Sequence, residues 1–149
     1  MLRAMIATAF CLVLAAPAGA SDFGNRDEAV AMVKRVQERF ESDGAAATFK
    51  AVTDKDTAFH DRDLYPFIYD MDGTNVAHGA NPAVVGKNLI GLKDQDGKFL
   101  IRELIDVAKG PGSGWVDYKW PNPQTNKIED KSSYVERMGD YVVGVGIYR

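Results

Sequence analysis

An α+β domain is the fold class that these residues predict, with five mostly antiparallel strands and helices before and between them. Three observations carry it. Apolar residues recur at Val30, Val33, Val36 and Phe40, the spacing of one helix face. Residues 64–78 read as a hairpin about Asp72-Gly73. Residues 114–148 read as a meander of three strands separated by Pro- and Gly-containing turns.

Each element has its own local reason. Asn25 can cap the first helix while Glu28 reaches back to it, and this places the helix over residues 26–42. Asp43-Gly44 stops it, and residues 45–52 read as a second short helix anchored by Phe49 and Val52. The first helix is too polar on one face to be buried all round, so its valines and Phe40 should lie along the sheet. The run LYPFIYD, residues 64–70, has strand composition, and residues 75–78 return from the turn. Residues 79–97 form a long connection with Asn81-Pro82 and several glycines, expected to be mobile without a ligand and ordered by one. Residues 99–109 read as a helix with Phe99, Leu100, Leu104 and Val107 as its inner stripe and Gly110-Pro111 as its end. Strands are then expected over 114–120, 132–138 and 141–148.

The N-terminus reads as a secretory signal. A lone Arg3, an apolar run over residues 4–16 broken only by Thr8, and Ala18-Gly19-Ala20 before Ser21 give the expected pattern, with cleavage after residue 20. Residues 21–149 would then form a single domain, a size whose core needs no crosslinks. Cys11 is the only cysteine and lies inside the signal, so the remaining chain is expected to hold no disulfide or cysteine metal site, which suits a bacterial periplasm. The formal net charge of −3 argues against nucleic acid as a partner. The chain ends at Tyr148-Arg149 inside an expected strand, with no transmitter or kinase segment after it, so any signal would pass to another protein.

The segment GWVDYKW, residues 114–120, carries the chemistry. Alternation puts Val116, Tyr118 and Trp120 on one face and Trp115, Asp117 and Lys119 on the other. Two rings facing one way can wall in a few carbons, while a phenol and an indole N–H donate to an oxygen. With YPFIYDMDGTNVAHGANPAVVGKNL, LKDQDGKFLIRELIDVAKGPGSGWVDYKWPNP and KSSYVERMGDYVVGVGIY in this order, the chain resembles a single Cache domain of the second type. That family comprises PAS-like extracellular sensor modules of bacterial chemoreceptors and sensor kinases. The resemblance implies a long N-terminal helix packed on a five-stranded antiparallel sheet, with a small ligand, commonly a short carboxylate, between the sheet and the loops over it.

Six residues are candidate ligand contacts: Tyr69, His78, Tyr118, Trp120, Lys131 and Tyr134. Tyr69 belongs to an aromatic row with Tyr65 and Phe67. Lys131, just before its strand, can lay its stem on an aromatic and offer an ammonium to a carboxylate. Tyr134 offers a hydroxyl on the same strand, and His78 one or two donors according to its charge.

Other chemistry is set aside. Asp70-x-Asp72-Gly73 lacks the closing glutamate of a calcium loop, and His60 and His78 have no zinc spacing. No serine lies in a G-x-S-x-G elbow, and the glycines of residues 109–114 lack the ending of a phosphate loop. No cofactor is expected. Without a nucleophile, base and orienting group brought together, the chain is not expected to be an enzyme. Two classes survive: a periplasmic binding module that reports a small organic acid to a membrane receptor, histidine kinase or transporter, and an accessory protein that keeps the scaffold without a specific ligand, for example by forming a homodimer along helix one.

Overall fold

The computed structural model describes residues 21–149, and the signal reading of residues 1–20 lies outside them. Helix α1 (Arg26–Thr53) opens with the capping box that its sequence predicts. The Asn25 side chain accepts from the Glu28 N–H at 3.0 Å, and the Asn25 N–H donates to the Glu28 carboxylate at 2.9 Å. Gly44, at φ 81° and ψ 175°, breaks the helical backbone at the predicted stop, so α1 is two helical pieces that continue across one kink.

Strands β1 (Pro66–Asp70), β2 (Asn75–His78), β3 (Ser113–Asn122), β4 (Lys127–Met138) and β5 (Tyr141–Tyr148) form one antiparallel sheet in the order β2-β1-β5-β4-β3. Strand parity divides its residues between two cores. On one face α1 sets Ala29, Met32, Val33 and Val36 against Ile68, Val143 and Val145, with a Phe40, Phe49 and Tyr141 cluster at the kinked end. On the other, α2 (Leu100–Lys109) covers Phe67, Tyr69, Val116, Tyr118, Val135 and Val142.

Three expectations need correction. The inner stripe of α2 is Leu100, Ile101, Leu104, Ile105 and Ala108. Phe99 caps the helix from outside, with the cations of Lys93 and Arg102 4.6 and 4.1 Å from its ring centre. The β3-β4 hairpin is longer than predicted. Pro121 and Asn122 remain in β3, which tolerates a proline because it is an edge strand, and the turn falls at residues 123–126. Lys131 therefore lies inside a strand. Residues 79–97 are also not a free loop. Asn75 exchanges backbone bonds with the Lys87 carbonyl at 3.0 Å and the Gly86 N–H at 2.8 Å, and the Leu89 N–H reaches the Gly73 carbonyl at 2.8 Å, so this segment covers the outer edge of β2.

Candidate functional site

Five strands bring polar groups to the face beneath α2. In the ladders, Tyr118 of β3 pairs with Lys131 of β4, which pairs with Tyr148 of β5. Tyr65, one residue before β1, stands beside this row, and the His78 ring lies 5.3 Å from the Tyr65 ring and 6.3 Å from the Trp120 ring. Lys131 is 1% exposed. Its Nζ donates to the Tyr65 hydroxyl at 2.8 Å and lies 4.1, 4.9 and 5.7 Å from the ring centres of Tyr65, Tyr148 and Phe67. No carboxylate oxygen of the described residues lies within 4.0 Å of it, so an ammonium here is solvated by one phenol and three ring faces.

The hydroxyls order themselves around that cation. Tyr148 donates to the Pro121 carbonyl at 2.7 Å, so at the 2.8 Å contact between the two phenols Tyr65 is the donor, which leaves its lone pairs to Lys131. Tyr118 and Ser133 share a buried bond of 2.8 Å. Two glycines of β5 make the space. A Cβ on Gly146 would lie 2.4 Å from Cε of Lys131 and 2.2 Å from Oγ of Ser133, and one on Gly144 would lie 2.4 Å from Cζ of Phe67. The lysine stem and the phenylalanine ring thus cross the sheet where the next strand has no side chain.

Burial dominates the electrostatics. It pulls Lys131 down to about 7, with the charge of Asp63 opposing. Burial first, then the positive Lys131, pushes His78 down to about 3. The geometry agrees, because the Nδ1 of His78 accepts the N–H groups of Ala80 at 3.2 Å and Asn81 at 2.9 Å. The neutral ring must then carry its proton on Nε2, a fixed donor. Desolvation pushes Tyr65 and Tyr118 well above the ordinary phenol range and Tyr69 up to about 12.

The His78 shift has a stability consequence. Its folded value lies below the unfolded value near 6.5, so the unfolded chain takes the proton first; the contribution is complete above about pH 6.5 and is lost as pH falls toward 3. Urea denaturation at pH 7 and 4.5 should show the wild type losing more stability than His78→Asn, by up to about 1.4 kcal/mol per pH unit, since asparagine keeps an acceptor for the two N–H groups. Equal losses would mean that His78 is not held neutral.

Five of the six predicted residues, Tyr69, His78, Tyr118, Trp120 and Lys131, lie on this face. Tyr134 does not. It is three residues from Lys131 on one strand, so parity turns it to the α1 side, where its ring lies 5.6 Å from Trp115 and its hydroxyl donates to Glu136 at 2.9 Å. Tyr65, Tyr148 and Ser133 also stand in this cluster and are not among the six candidates. Tyr65 already belongs to the aromatic row with Phe67 and Tyr69, and the alternate glycines in YVVGVGIY mark the strand that the lysine crosses. The buried carboxamide of Asn75, with no hydrogen-bond partner among the described residues, carried no such signal.

Two spaces adjoin the cluster. One, between α2 and the sheet, is lined by Phe67, Tyr69, Leu100, Ile101, Leu104, Tyr118 and Trp120 and holds about 10 Å³, room for about one water. The other is a cleft of about 240 Å³ between the end of β2 and the β3-β4 hairpin, bordered by Tyr65, His78, Asn81, Trp120 and Pro121. Trp120 is a wall of both.

A long N-terminal helix on one face of a five-stranded antiparallel sheet, with a covered aromatic cluster on the other, defines a PAS-like sensor fold. The chain belongs to the single Cache domain 2 family, whose model matches residues 25–149. It is 35% identical over 122 residues to the sensor histidine kinase MctS of Rhizobium johnstonii, a match covering 80% of this chain and 26% of the kinase. It is 30% identical over 91 residues to the methyl-accepting chemotaxis protein McpP of Pseudomonas putida, covering 60% of this chain and 17% of that protein. The chain thus spans about a quarter or less of these relatives. Among solved structures it is similar to a methyl-accepting chemotaxis protein from Vibrio parahaemolyticus, with a TM-score of 0.69 and 32% identity over 82% of this chain and 86% of that one. It is also similar to a Cache chemosensory domain described in terms of carboxylic acid recognition, with a TM-score of 0.65 and 25% identity over 82% and 86%.

Proposed function

We propose that this chain is a periplasmic sensor module that binds a short organic acid and reports it to a membrane-bound receptor, kinase or transporter. One observation carries the reading: a buried lysine with no carboxylate oxygen of the described residues within 4.0 Å, reached by Asp63 only at longer range and ringed by aromatic faces and neutral donors. Such a cation costs several kcal/mol to bury alone, and a bound anion offsets that cost. The ligand enters by the cleft. Its carboxylate meets the Nε2–H of His78 and the indole N–H of Trp120, with Lys131 behind them on the far side of the Tyr65 phenol. Its few carbons lie against Tyr69 and Tyr118 once Trp120 turns to join the two spaces. The reported change arises in α2 and in Leu89, Ile90 and Leu92, which cover the aromatic floor. Similarity to chemoreceptor and kinase sensor domains supports this reading.

A thermal-shift panel on residues 21–149 tests it. Acetate, propionate, lactate or pyruvate at about 100 times its dissociation constant should add about 2.7 kcal/mol of stability. A shift with amines but with no organic acid would reverse the sign of the ligand, and one with amino acids alone would replace the organic-acid reading by a zwitterionic ligand. The nearly filled space under α2 favours one other reading, a scaffold without a ligand, and silence across both panels would select it.

A further inference from the structure

We propose that Lys131 is a proton-linked counter-ion: above neutral pH it stands uncharged in a growing share of empty molecules, it is charged whenever a carboxylate is seated, and binding therefore draws a proton from solution. The inference rests on the carboxylate reading above and adds that the acid is captured together with a proton.

The geometry carries it. The Lys131 ammonium has three hydrogens and, among the described residues, one oxygen partner, the Tyr65 phenol, while the stem is enclosed where Gly146 has no side chain. The groups facing it are few. The segment before β1 brings Asp63, fully buried, whose Oδ1 accepts the Gly24 N–H at 2.7 Å. The same segment brings Tyr65, β2 brings His78, β3 Tyr118 and β5 Tyr148. α2 brings only the apolar Leu100, Ile101 and Leu104 to the space beside the cluster.

The three phenols are pushed upward and His78 downward, so none of these four changes charge between pH 6 and 9. Lys131, drawn to about 7 by burial, titrates inside that window. A seated carboxylate, itself ionised there, favours the charged lysine and returns its value toward the ordinary range. The sign follows. Below about pH 7 the empty site is already charged and affinity is flat; above it each unit of pH removes the charged form tenfold, so the dissociation constant rises about tenfold per unit.

Two measurements decide it. Calorimetry with the panel acid that gives the largest shift, run at pH 6, 7, 8 and 9 in buffers of different ionisation enthalpy, should find proton uptake per ligand rising from near zero through about one half to near one. Affinity should fall at least tenfold between pH 7 and 9. Binding with constant affinity and no uptake overturns the proposal and leaves the carboxylate reading intact. The second measurement needs no ligand: with lysine labelled at its ε-carbon, the empty chain should show one resonance titrating near neutral pH that is absent in Lys131→Met. If every lysine titrates near its ordinary value of about 10.4, the proposal falls whatever binds. A neutral-titrating lysine in a chain that no panel acid binds at any pH overturns both.

Discussion

Replacing Lys131 with methionine is expected to abolish the response to organic acids and at the same time to make the empty domain more stable at pH 6. Most point substitutions destabilise, so a gain in stability together with lost binding marks the removal of a buried charge kept for the ligand. The side chain is buried and its ammonium has a single oxygen partner among the described residues. Methionine keeps most of the stem volume, fills the space left open by Gly146, and removes a charge that the interior solvates poorly. Removing it relieves a desolvation cost of several kcal/mol per buried ion, less the part that the charge of Asp63 offsets. Tyr65 keeps its bond to Tyr148.

The gain should depend on pH in a defined direction. The folded value of Lys131 is depressed to about 7, so below that pH the folded domain carries the full cost of the buried charge; as pH rises from 7 toward about 10.4 the folded chain sheds its proton before the unfolded one does, and the cost disappears. Wild-type stability should therefore rise by up to about 1.4 kcal/mol per pH unit between pH 7.5 and 9.5 relative to Lys131→Met. Chemical denaturation at pH 6 and 9 checks both parts. A folded variant that is less stable than wild type at pH 6 and still binds the panel acid would return Lys131 to an ordinary packing role.

How legible the site was depended on parity and strand length. Tyr118 and Trp120 could be placed together because period-two alternation is a property of any strand and two aromatics in phase must face one way. The same rule excluded Tyr134, but only once Lys131 was known to lie in the same strand. With the strand taken to begin at residue 132, the lysine had no parity. The strand in fact begins at Lys127, because Pro121 stays in an edge strand and the turn slides to residues 123–126, and no local signal in PNPQTN distinguishes these two placements. The helices show the same division. The Asn25 capping box and the Gly44 break are local and were readable, whereas the true inner stripe of α2 depends on which side the sheet occupies. The 79–97 connection reads as a loop in composition. It is held by backbone bonds to Gly73 and Asn75, which composition does not reveal.

The two β5 glycines lead to the last expectation, in which neighbouring substitutions of the same kind have different effects. A glycine inside a strand is ordinarily a weakness, and alanine there should stabilise by about 0.5 to 1 kcal/mol. Neither Gly144 nor Gly146 has a positive φ, so backbone strain is not the obstacle. At Gly144 a Cβ would meet the Phe67 ring at 2.4 and 2.6 Å and the Val135 side chain at 2.8 Å, and all three residues are buried between packed layers. Gly144→Ala should therefore cost about 1 to 3 kcal/mol, the range of an overpacked core. At Gly146 the obstacles are Oγ of Ser133 at 2.2 Å and Cε of Lys131 at 2.4 Å, both on side chains that can rotate. Gly146→Ala should leave a folded domain but push the lysine stem aside, separate Nζ from Tyr65 and disturb the Ser133 bond to Tyr118. A weakening of acid binding by tenfold or more, with a stability loss smaller than that of Gly144→Ala, is the expected pair. Titration of the three chains with the same acid, beside their denaturation curves, separates packing from binding. If Gly146→Ala binds as wild type does, the gap that Gly146 leaves in β5 is only a packing device and the placement of the Lys131 stem does not govern binding.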